Sequence, residues 1–220
     1  MHIARLNNAP ELFYSLQGEG VSCGSPAVFL RLAGCNLACR WCDTKYSWGA
    51  GLYLTPAELA PRITALRPPR LIITGGEPLL QQDELGELLA LLPAELPIEV
   101  ETNGTLFPPA ELRERVTQWN VSPKLPHAGN AAEQALRPEV LAAFAELPNA
   151  WFKLVVRGEE DWSAIAALGL PRERLLLMPC AETRAVLEQL RPAIAQMCLR
   201  HGVRLGERLH LVLWDTRKGV

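Results

Sequence analysis

Short apolar runs alternate with amphipathic stretches along most of the chain. The apolar runs are rich in leucine and β-branched residues and show little polar alternation, which is typical of strands buried on both faces. They predict seven strands, over residues 27–32, 70–74, 98–102, 120–122, 151–156, 174–178 and 209–213. Apolar residues spaced three and four apart predict helices over residues 83–92, 109–119, 138–145, 161–168 and 182–201.

The sequence also indicates where one helix begins, where another bends, and which segment has no predicted helix or strand. Thr55, Pro56 and Glu58 form the signature of a capping box, so a further helix is expected to begin there. Pro192 lies inside the helix predicted over residues 182–201 and is expected to kink it. Residues 125–136 have no strong periodicity and predict a long, mobile loop.

The alternation of strands and helices predicts a single α/β domain over residues 1–220 with a mainly parallel sheet. Seven strands fall short of the eight βα units of a closed barrel, so we expect an incomplete, TIM-like barrel. Reactive groups in such folds lie at the carboxyl ends of the strands. The least usual segments here, GCNLACRWCDT, TGGEP, ETNG and VSPK, all follow predicted strands. Their positions therefore indicate an enzyme.

Composition excludes several classes of protein. The 220 residues are 49% hydrophobic with a formal net charge of −2, which supplies a core but no positive surface for wrapping nucleic acid. No uncharged apolar run approaches the roughly 20 residues of a membrane span. The first residues lack the apolar stretch of an export signal, so we expect a cytoplasmic protein.

Three of the six cysteines crowd into the pattern C-x3-C-x2-C, at Cys35, Cys39 and Cys42. Clustered cysteines in a protein that is not exported are typical of metal sites and catalytic sites rather than of disulfide frameworks. The other three match no motif and are interpreted as plain thiols: Cys23, Cys180 and Cys198.

Three interpretations of the cysteine pattern remain open on spacing alone. The spacing would place all three side chains on one face of a core helix. A structural zinc ion would need a fourth ligand, which Cys23 would have to supply alone. A 4Fe–4S cluster held by three thiolates leaves one iron open to a small molecule with an amine and a carboxylate. Gly34 and Asn36 before the pattern and Asp43 after it indicate a strand-end loop, which favours the cluster.

The C-x3-C-x2-C segment resembles the cluster loop of the radical S-adenosylmethionine (SAM) superfamily, which follows the first strand of an incomplete barrel. The resemblance implies that the methionine moiety of SAM binds the open iron and that a 5′-deoxyadenosyl radical forms. It also implies that SAM is contacted by Trp41, Cys42, Asp43, Gly76, Ser122, Pro123 and Lys124.

A wider set of residues is similar to the 7-carboxy-7-deazaguanine synthases of that superfamily. It comprises the segments FYSLQGEG at 13–20, FLRLAGCNL at 29–37 and DTKY at 43–46, with the later Ser-Pro-Lys. The resemblance implies a lyase that converts 6-carboxy-5,6,7,8-tetrahydropterin into 7-carboxy-7-deazaguanine and ammonia, in queuosine and other 7-deazapurine biosynthesis. It further implies Mg²⁺ as a third cofactor, a flavodoxin or ferredoxin as electron donor, and a homodimer.

Within that resemblance, the pterin is expected to contact Leu16, Gln17, Gly18, Arg31 and Thr74. The Arg31 guanidinium suits two parallel hydrogen bonds to the substrate carboxylate. Thr44 is expected to supply its hydroxyl to a Mg²⁺ ion that also binds this carboxylate. Glu19 suits the guanidine-like edge of the pterin, and His210 is expected either to face the pterin or to pack in the core.

A glycyl-radical-enzyme activase is the alternative enzyme, because it too is short and carries a C-x3-C-x2-C loop. An activase has no reason to carry a pterin site or a Mg²⁺ site, so the segment around Gln17 and the pair Asp43-Thr44 favour the synthase. A zinc-stapled interaction module is the alternative outside the enzymes, and metal analysis distinguishes it.

Overall fold

A computed structural model describes all 220 residues of the chain. The twelve strands are β1 (His2–Ile3), β2 (Arg5–Leu6), β3 (Ala9–Pro10), β4 (Leu12–Leu16), β5 (Pro26–Leu32), β6 (Leu52–Tyr53), β7 (Leu71–Gly75), β8 (Ile98–Thr102), β9 (Gln118–Val121), β10 (Ala150–Val156), β11 (Leu175–Pro179) and β12 (Arg204–Leu205). The eight α-helices are α1 (Pro56–Ala65), α2 (Gln82–Ala90), α3 (Ala110–Arg115), α4 (Ala132–Ala135), α5 (Pro138–Ala145), α6 (Trp162–Ala167), α7 (Arg184–His201) and α8 (Leu209–Trp214).

Seven parallel strands form most of a ten-stranded sheet, in the order β12-β11-β10-β9-β8-β7-β5. The antiparallel strands β4 and β1 both pair with β5, and β6 extends this edge beyond β1. The two edges do not pair with each other. The fold is therefore the incomplete, mainly parallel barrel that the strand pattern predicts.

Burial explains why the central strands are apolar without alternation. Leu71, Ile72 and Ile73 of β7 are all fully buried, as expected for a strand covered on both faces. Helix α1 begins with the predicted capping box, in which Thr55 Oγ1 accepts from the Glu58 amide and the Glu58 carboxylate accepts from the Thr55 amide. No helix combines the length and apolar character that a membrane crossing requires.

The prediction of a last strand over residues 209–213 is wrong. These residues form helix α8, and the seventh parallel strand is the two-residue β12. A five-residue segment with four apolar residues does not distinguish a short strand from a short helix. The backbone amide of Leu209 donates to the carbonyl of Gly18 at 2.8 Å, which fixes α8 beside the loop that follows β4.

The prediction of a long loop over residues 125–136 is also wrong. The segment contains a 3-10 turn, Pro126–Ala128, and helix α4. Ala128 and Ala135 are buried against Leu37, about ninety positions earlier in the chain. Contacts to such distant residues leave no local periodicity, which is why the pattern of the segment alone did not predict this structure.

Candidate active site

The carboxyl ends of the parallel strands surround one cavity of about 290 Å³. It brings together every predicted site residue except Pro123, which is buried between two residues that line it. The predicted residues that line the cavity are Leu16, Gln17, Gly18, Arg31, Cys35, Cys39, Trp41, Cys42, Asp43, Thr44, Thr74, Gly76, Ser122 and Lys124.

The three clustered cysteines lie on a loop without helix or strand after β5, so they do not share a helix face. Cys39 is buried, whereas Cys35 and Cys42 are half-buried. No group of three or more His, Cys, Asp or Glu side chains in the structure is arranged to hold a single metal ion. A 4Fe–4S cluster needs no such arrangement, because each thiolate binds a different iron. The donor set and its position at the cavity therefore fit this cluster.

Gly76 allows β7 to approach the cysteine loop closely. Its amide donates to Leu32 O at 3.1 Å, and the next amide, of Glu77, donates to Gly34 O at 2.9 Å. A Cβ atom on Gly76 would overlap the carbonyl oxygen of Gly34. The position consequently requires glycine, because any side chain would push the two segments apart.

The Glu77 carboxylate joins the ends of β7 and β8. This fully buried group accepts from the Asn103 amide at 2.7 Å, the Thr102 hydroxyl at 2.9 Å and the Leu79 amide at 3.0 Å. Asn103 in turn donates from Nδ2 to Asn36 Oδ1 at 2.8 Å. The segments TGGEP and ETNG therefore form one hydrogen-bonded support for the cysteine loop.

Arg31 on β5 presents the free end of its guanidinium to the cavity. Its register partner on β7 is Thr74, so the two side chains share a face of the sheet. Arg31 Nε donates to Glu11 Oε1 at 2.9 Å, and the Tyr46 hydroxyl donates to the same oxygen at 3.0 Å. Neither terminal nitrogen of Arg31 donates to a protein group. The fork that binds a carboxylate with two hydrogen bonds is therefore open.

Lys153 on β10 lies buried between two carboxylates. Its Nζ is 2.5 Å from Glu101 Oε2 and 3.1 Å from Glu19 Oε2, and its side chain is 3% exposed. Glu101 also accepts from Gln17 Nε2 at 3.1 Å, and Gln17 Oε1 accepts from the Glu19 amide at 3.2 Å. This network fixes the orientation of the Gln17 amide.

In this network, charge pairing and burial shift the pKa of Glu19 and Lys153 in opposite directions. Burial alone would raise the pKa of Glu19, but the charges of Lys153 and Arg208 outweigh it and hold the pKa far below its ordinary value. Burial would lower the pKa of Lys153, but Glu101 and Glu19 raise it above its ordinary value. Burial raises the pKa of Glu101, with a smaller contribution from Glu19, against the charge of Lys153.

Arg208 connects Glu19, near the end of β4, to the cysteine loop. Its guanidinium donates to Glu19 Oε1 at 3.2 Å, to Asp43 Oδ2 at 2.8 Å and to the carbonyl of Ala181. The sequence analysis missed Arg208, whose neighbours form no recognisable motif. It also missed Lys153, although a lysine inside the apolar run WFKLVV is a signal of a buried charge that needs partners.

Two further predicted residues have defined partners or surroundings. Lys124 Nζ donates to the carbonyl and hydroxyl oxygens of Ser122 at 2.6 and 2.7 Å. Burial lowers the pKa of Lys124, so its ammonium group loses a proton more readily than that of a surface lysine. His210 lies on α8 rather than on a strand, but it lines the cavity next to Gly18, and burial lowers the pKa of its imidazole.

Comparison with known proteins gives concordant results. A family model described as the Radical SAM superfamily matches residues 30–127. The 7-carboxy-7-deazaguanine synthase of Pyrobaculum aerophilum is 40% identical over 217 residues, and the alignment covers 95% of each chain. The synthase of Hyperthermus butylicus is 37% identical over 215 residues, covering 92% of this chain and 91% of the relative.

Solved structures show the same relationship. The crystal structure of QueE from Escherichia coli superimposes with a TM-score of 0.66 at 26% identity, covering 91% of this chain and 92% of that one. Streptococcus suis SuiB, solved with its precursor peptide SuiA, is 14% identical with a TM-score of 0.56 over 78% of this chain and 45% of its own. At that identity SuiB is evidence for a shared fold alone.

Proposed function

Because the chain belongs to the radical SAM superfamily and to its 7-carboxy-7-deazaguanine synthases, we propose that it converts 6-carboxy-5,6,7,8-tetrahydropterin into 7-carboxy-7-deazaguanine and ammonia. The observation that carries this proposal is the single cavity in which Arg31 and Gln17 meet the three clustered cysteines. A 4Fe–4S cluster held by Cys35, Cys39 and Cys42, together with bound SAM, would supply the radical chemistry of this superfamily at the substrate. No observation favours a glycyl-radical-enzyme activase.

The residues assigned to the pterin each suit a different chemical group of that substrate. The open fork of Arg31 holds the pterin carboxylate, with Thr74 beside it on the same face of the sheet. Gln17, oriented by Glu101 and Glu19, meets the polar edge of the pterin together with the backbone of Leu16 and Gly18. The hydrogen bonds of Arg31 to Glu11 and of Gln17 to Glu101 hold these two side chains in place before the substrate arrives.

The residues assigned to SAM belong to the same cavity, and all of them except Pro123 line it. Three belong to the cysteine loop, one follows β7 and three follow β9: Trp41, Cys42, Asp43, Gly76, Ser122, Pro123 and Lys124. The Lys124 ammonium and the Ser122 hydroxyl suit the SAM carboxylate, because together they offer a charged and a neutral donor. Cys35, Cys39 and Cys42 hold the cluster.

We assign the Thr44 hydroxyl as the protein ligand of the Mg²⁺ ion. We expect Thr44→Ala to raise the Mg²⁺ concentration for half-maximal activity by at least roughly tenfold, since even outer-shell partners of a metal are worth that much. The measurement is a Mg²⁺ titration of product formation. Thr44→Ser keeps the hydroxyl and serves as the matched control.

The cluster must be unaffected for the Thr44 result to be meaningful. The Thr44 hydroxyl is 3.6 Å from Cys42 Sγ, so iron and sulfide contents are measured for each variant. An unchanged Mg²⁺ response in a Thr44→Ala protein with a full cluster would exclude Thr44 as the metal ligand.

The remaining assignments rest on the family resemblance. They are a flavodoxin or ferredoxin as electron donor, a homodimer, and a cytoplasmic location. The product is expected to enter queuosine or another 7-deazapurine.

The direct test of the reaction uses the whole protein. After anaerobic reconstitution with iron and sulfide, the enzyme is incubated with dithionite, SAM, Mg²⁺ and 6-carboxytetrahydropterin and analysed by mass spectrometry. We expect 7-carboxy-7-deazaguanine to form without an equal loss of SAM. Cleavage of SAM with the pterin untouched would overturn the substrate assignment and make the activase the leading interpretation.

A further inference from the structure

The segment 126–135, which we call the brace segment, lies directly against the cysteine loop. The amide of Arg40 donates to Ala128 O at 2.9 Å, and Trp41 Nε1 donates to His127 Nδ1 at 3.1 Å. Apolar packing of Ala128 and Ala135 against the loop adds to these hydrogen bonds. The brace segment thus supports the cysteine loop through contacts separate from those of Gly76 and Glu77.

His127 anchors the brace segment to the sheet. Its side chain is 1% exposed, and its Nε2 lies 3.0 Å from the carbonyl oxygen of Val155 at the end of β10. Since Nδ1 accepts from Trp41, the proton of the neutral imidazole lies on Nε2 and is donated to Val155. Contacts of His127 and Ala128 with Trp41 and Arg40 therefore connect the brace segment to the loop at positions other than Asn130.

Asn130 makes two contacts with the cysteine loop. Its Oδ1 accepts from the Ala38 amide at 2.9 Å, and its Nδ2 lies 3.2 Å from Cys39 Sγ. The orientation of the amide follows from chemistry, because the Ala38 amide can only donate and must therefore face the oxygen. The NH₂ group is consequently directed at the Cys39 sulfur.

We propose that Asn130 is a positioning residue that raises the reduction potential of the 4Fe–4S cluster by donating a hydrogen bond to the Cys39 thiolate. This inference rests on the cluster assigned under the proposed function. One-electron reduction by an external donor adds negative charge to the cluster and its sulfur ligands. An N–H donor aimed at a ligand sulfur stabilises the reduced, more negative state more than the oxidised one.

The test is a redox titration of the reconstituted holoenzyme, followed by electron paramagnetic resonance of the reduced cluster. Asn130→Leu replaces the amide with a neutral side chain of similar shape and removes the donor. We expect the equilibrium constant for reduction to fall roughly three- to tenfold, the range for one hydrogen bond. A tenfold change corresponds to a potential about 59 mV lower for a one-electron couple.

Two comparisons make the result decisive. Asn130→Asp keeps the acceptor for the Ala38 amide but presents a negative oxygen to the sulfur, so its potential should be lower still. Gln134→Ala, an exposed change on helix α4 of the same segment, should leave the potential unchanged. The Fe–S stretching bands in resonance Raman spectra should shift in both Asn130 variants and not in the control.

Three other outcomes would contradict either this inference or the proposed function. A full cluster with an unchanged potential in Asn130→Leu would overturn it. Loss of the cluster from both Asn130 variants would also overturn it, because the contact would then be needed for retaining the cluster and not for its potential. Failure of the wild-type protein to assemble any cluster would instead contradict the proposed function, so the two failures are distinguishable.

Discussion

Replacing Cys39 with alanine will yield a folded protein that contains no stable 4Fe–4S cluster and makes no 7-carboxy-7-deazaguanine. Cys39 is one of three thiolates on a loop that supplies no fourth cysteine, so its loss leaves one iron without a protein ligand. The removed sulfur is also the one that Asn130 contacts. Iron and sulfide analysis, the visible absorption of the cluster and product formation measure the effect.

A cysteine outside the loop provides the matched control. Cys180 follows β11, does not line the cavity and is as half-buried as Cys35 and Cys42. Cys180→Ala should retain the cluster and the activity, while circular dichroism should show that both variants are folded. A Cys39→Ala protein that reconstitutes a full cluster and turns over substrate would refute the assignment of the three-cysteine site.

The parallel strands and the cavity could be predicted because both depend on local sequence. A strand buried on both faces must be apolar throughout, as Ile72 and its neighbours are, and this pattern is visible without knowing the partners of the strand. The carboxyl ends of parallel strands meet at one edge of the sheet, so motifs that follow different strands must converge. That geometric rule explains why Cys35, Gly76 and Lys124, each of which follows a different strand, line one cavity.

The brace segment and helix α8 could not be predicted, because their structures depend on distant residues. Asn130 acquires its partners only when the cysteine loop is already folded, some ninety residues away. The conformation of α8 depends on the hydrogen bond from Leu209 to Gly18. Neither contact leaves a trace in the periodicity of its own segment.

The charge network at the base of the cavity has a defined pH range of stability. The lowered pKa of Glu19 means that its pairing stabilises the fold above the pKa of an unfolded glutamate, about 4.3, and is lost as the pH falls through the folded value. The raised pKa of Lys153 means that its contribution is complete below about 10.4 and is lost as the pH rises through the folded value. The pairing therefore operates between roughly pH 5 and pH 10.

Lys153→Met should consequently be one of the most destabilising single changes in the chain. It leaves the largely buried Glu101 carboxylate without a cation and Glu19 with Arg208 alone, which costs about 3 kcal/mol in the free energy of unfolding, the low end of the cost of breaking a buried ion pair. For a domain of this size the midpoint of thermal unfolding should fall by about 10 °C. Urea unfolding at pH 7 and differential scanning calorimetry measure the two quantities.

The double variant Lys153→Met with Glu101→Gln distinguishes charge from packing. Glu19 keeps its pairing with Arg208, so Glu101 is the carboxylate left without a cation. Removing its charge should restore part of the lost stability, whereas a packing defect at Lys153 would be unchanged by it. The destabilisation of the single variant should also shrink as the pH falls from 7 to 5, because the Glu101 carboxylate, left without a cation, then takes up a proton. A loss of stability that is independent of pH and not rescued by Glu101→Gln would mean that Lys153 acts through packing, and that the orientation of Gln17 does not depend on its charge.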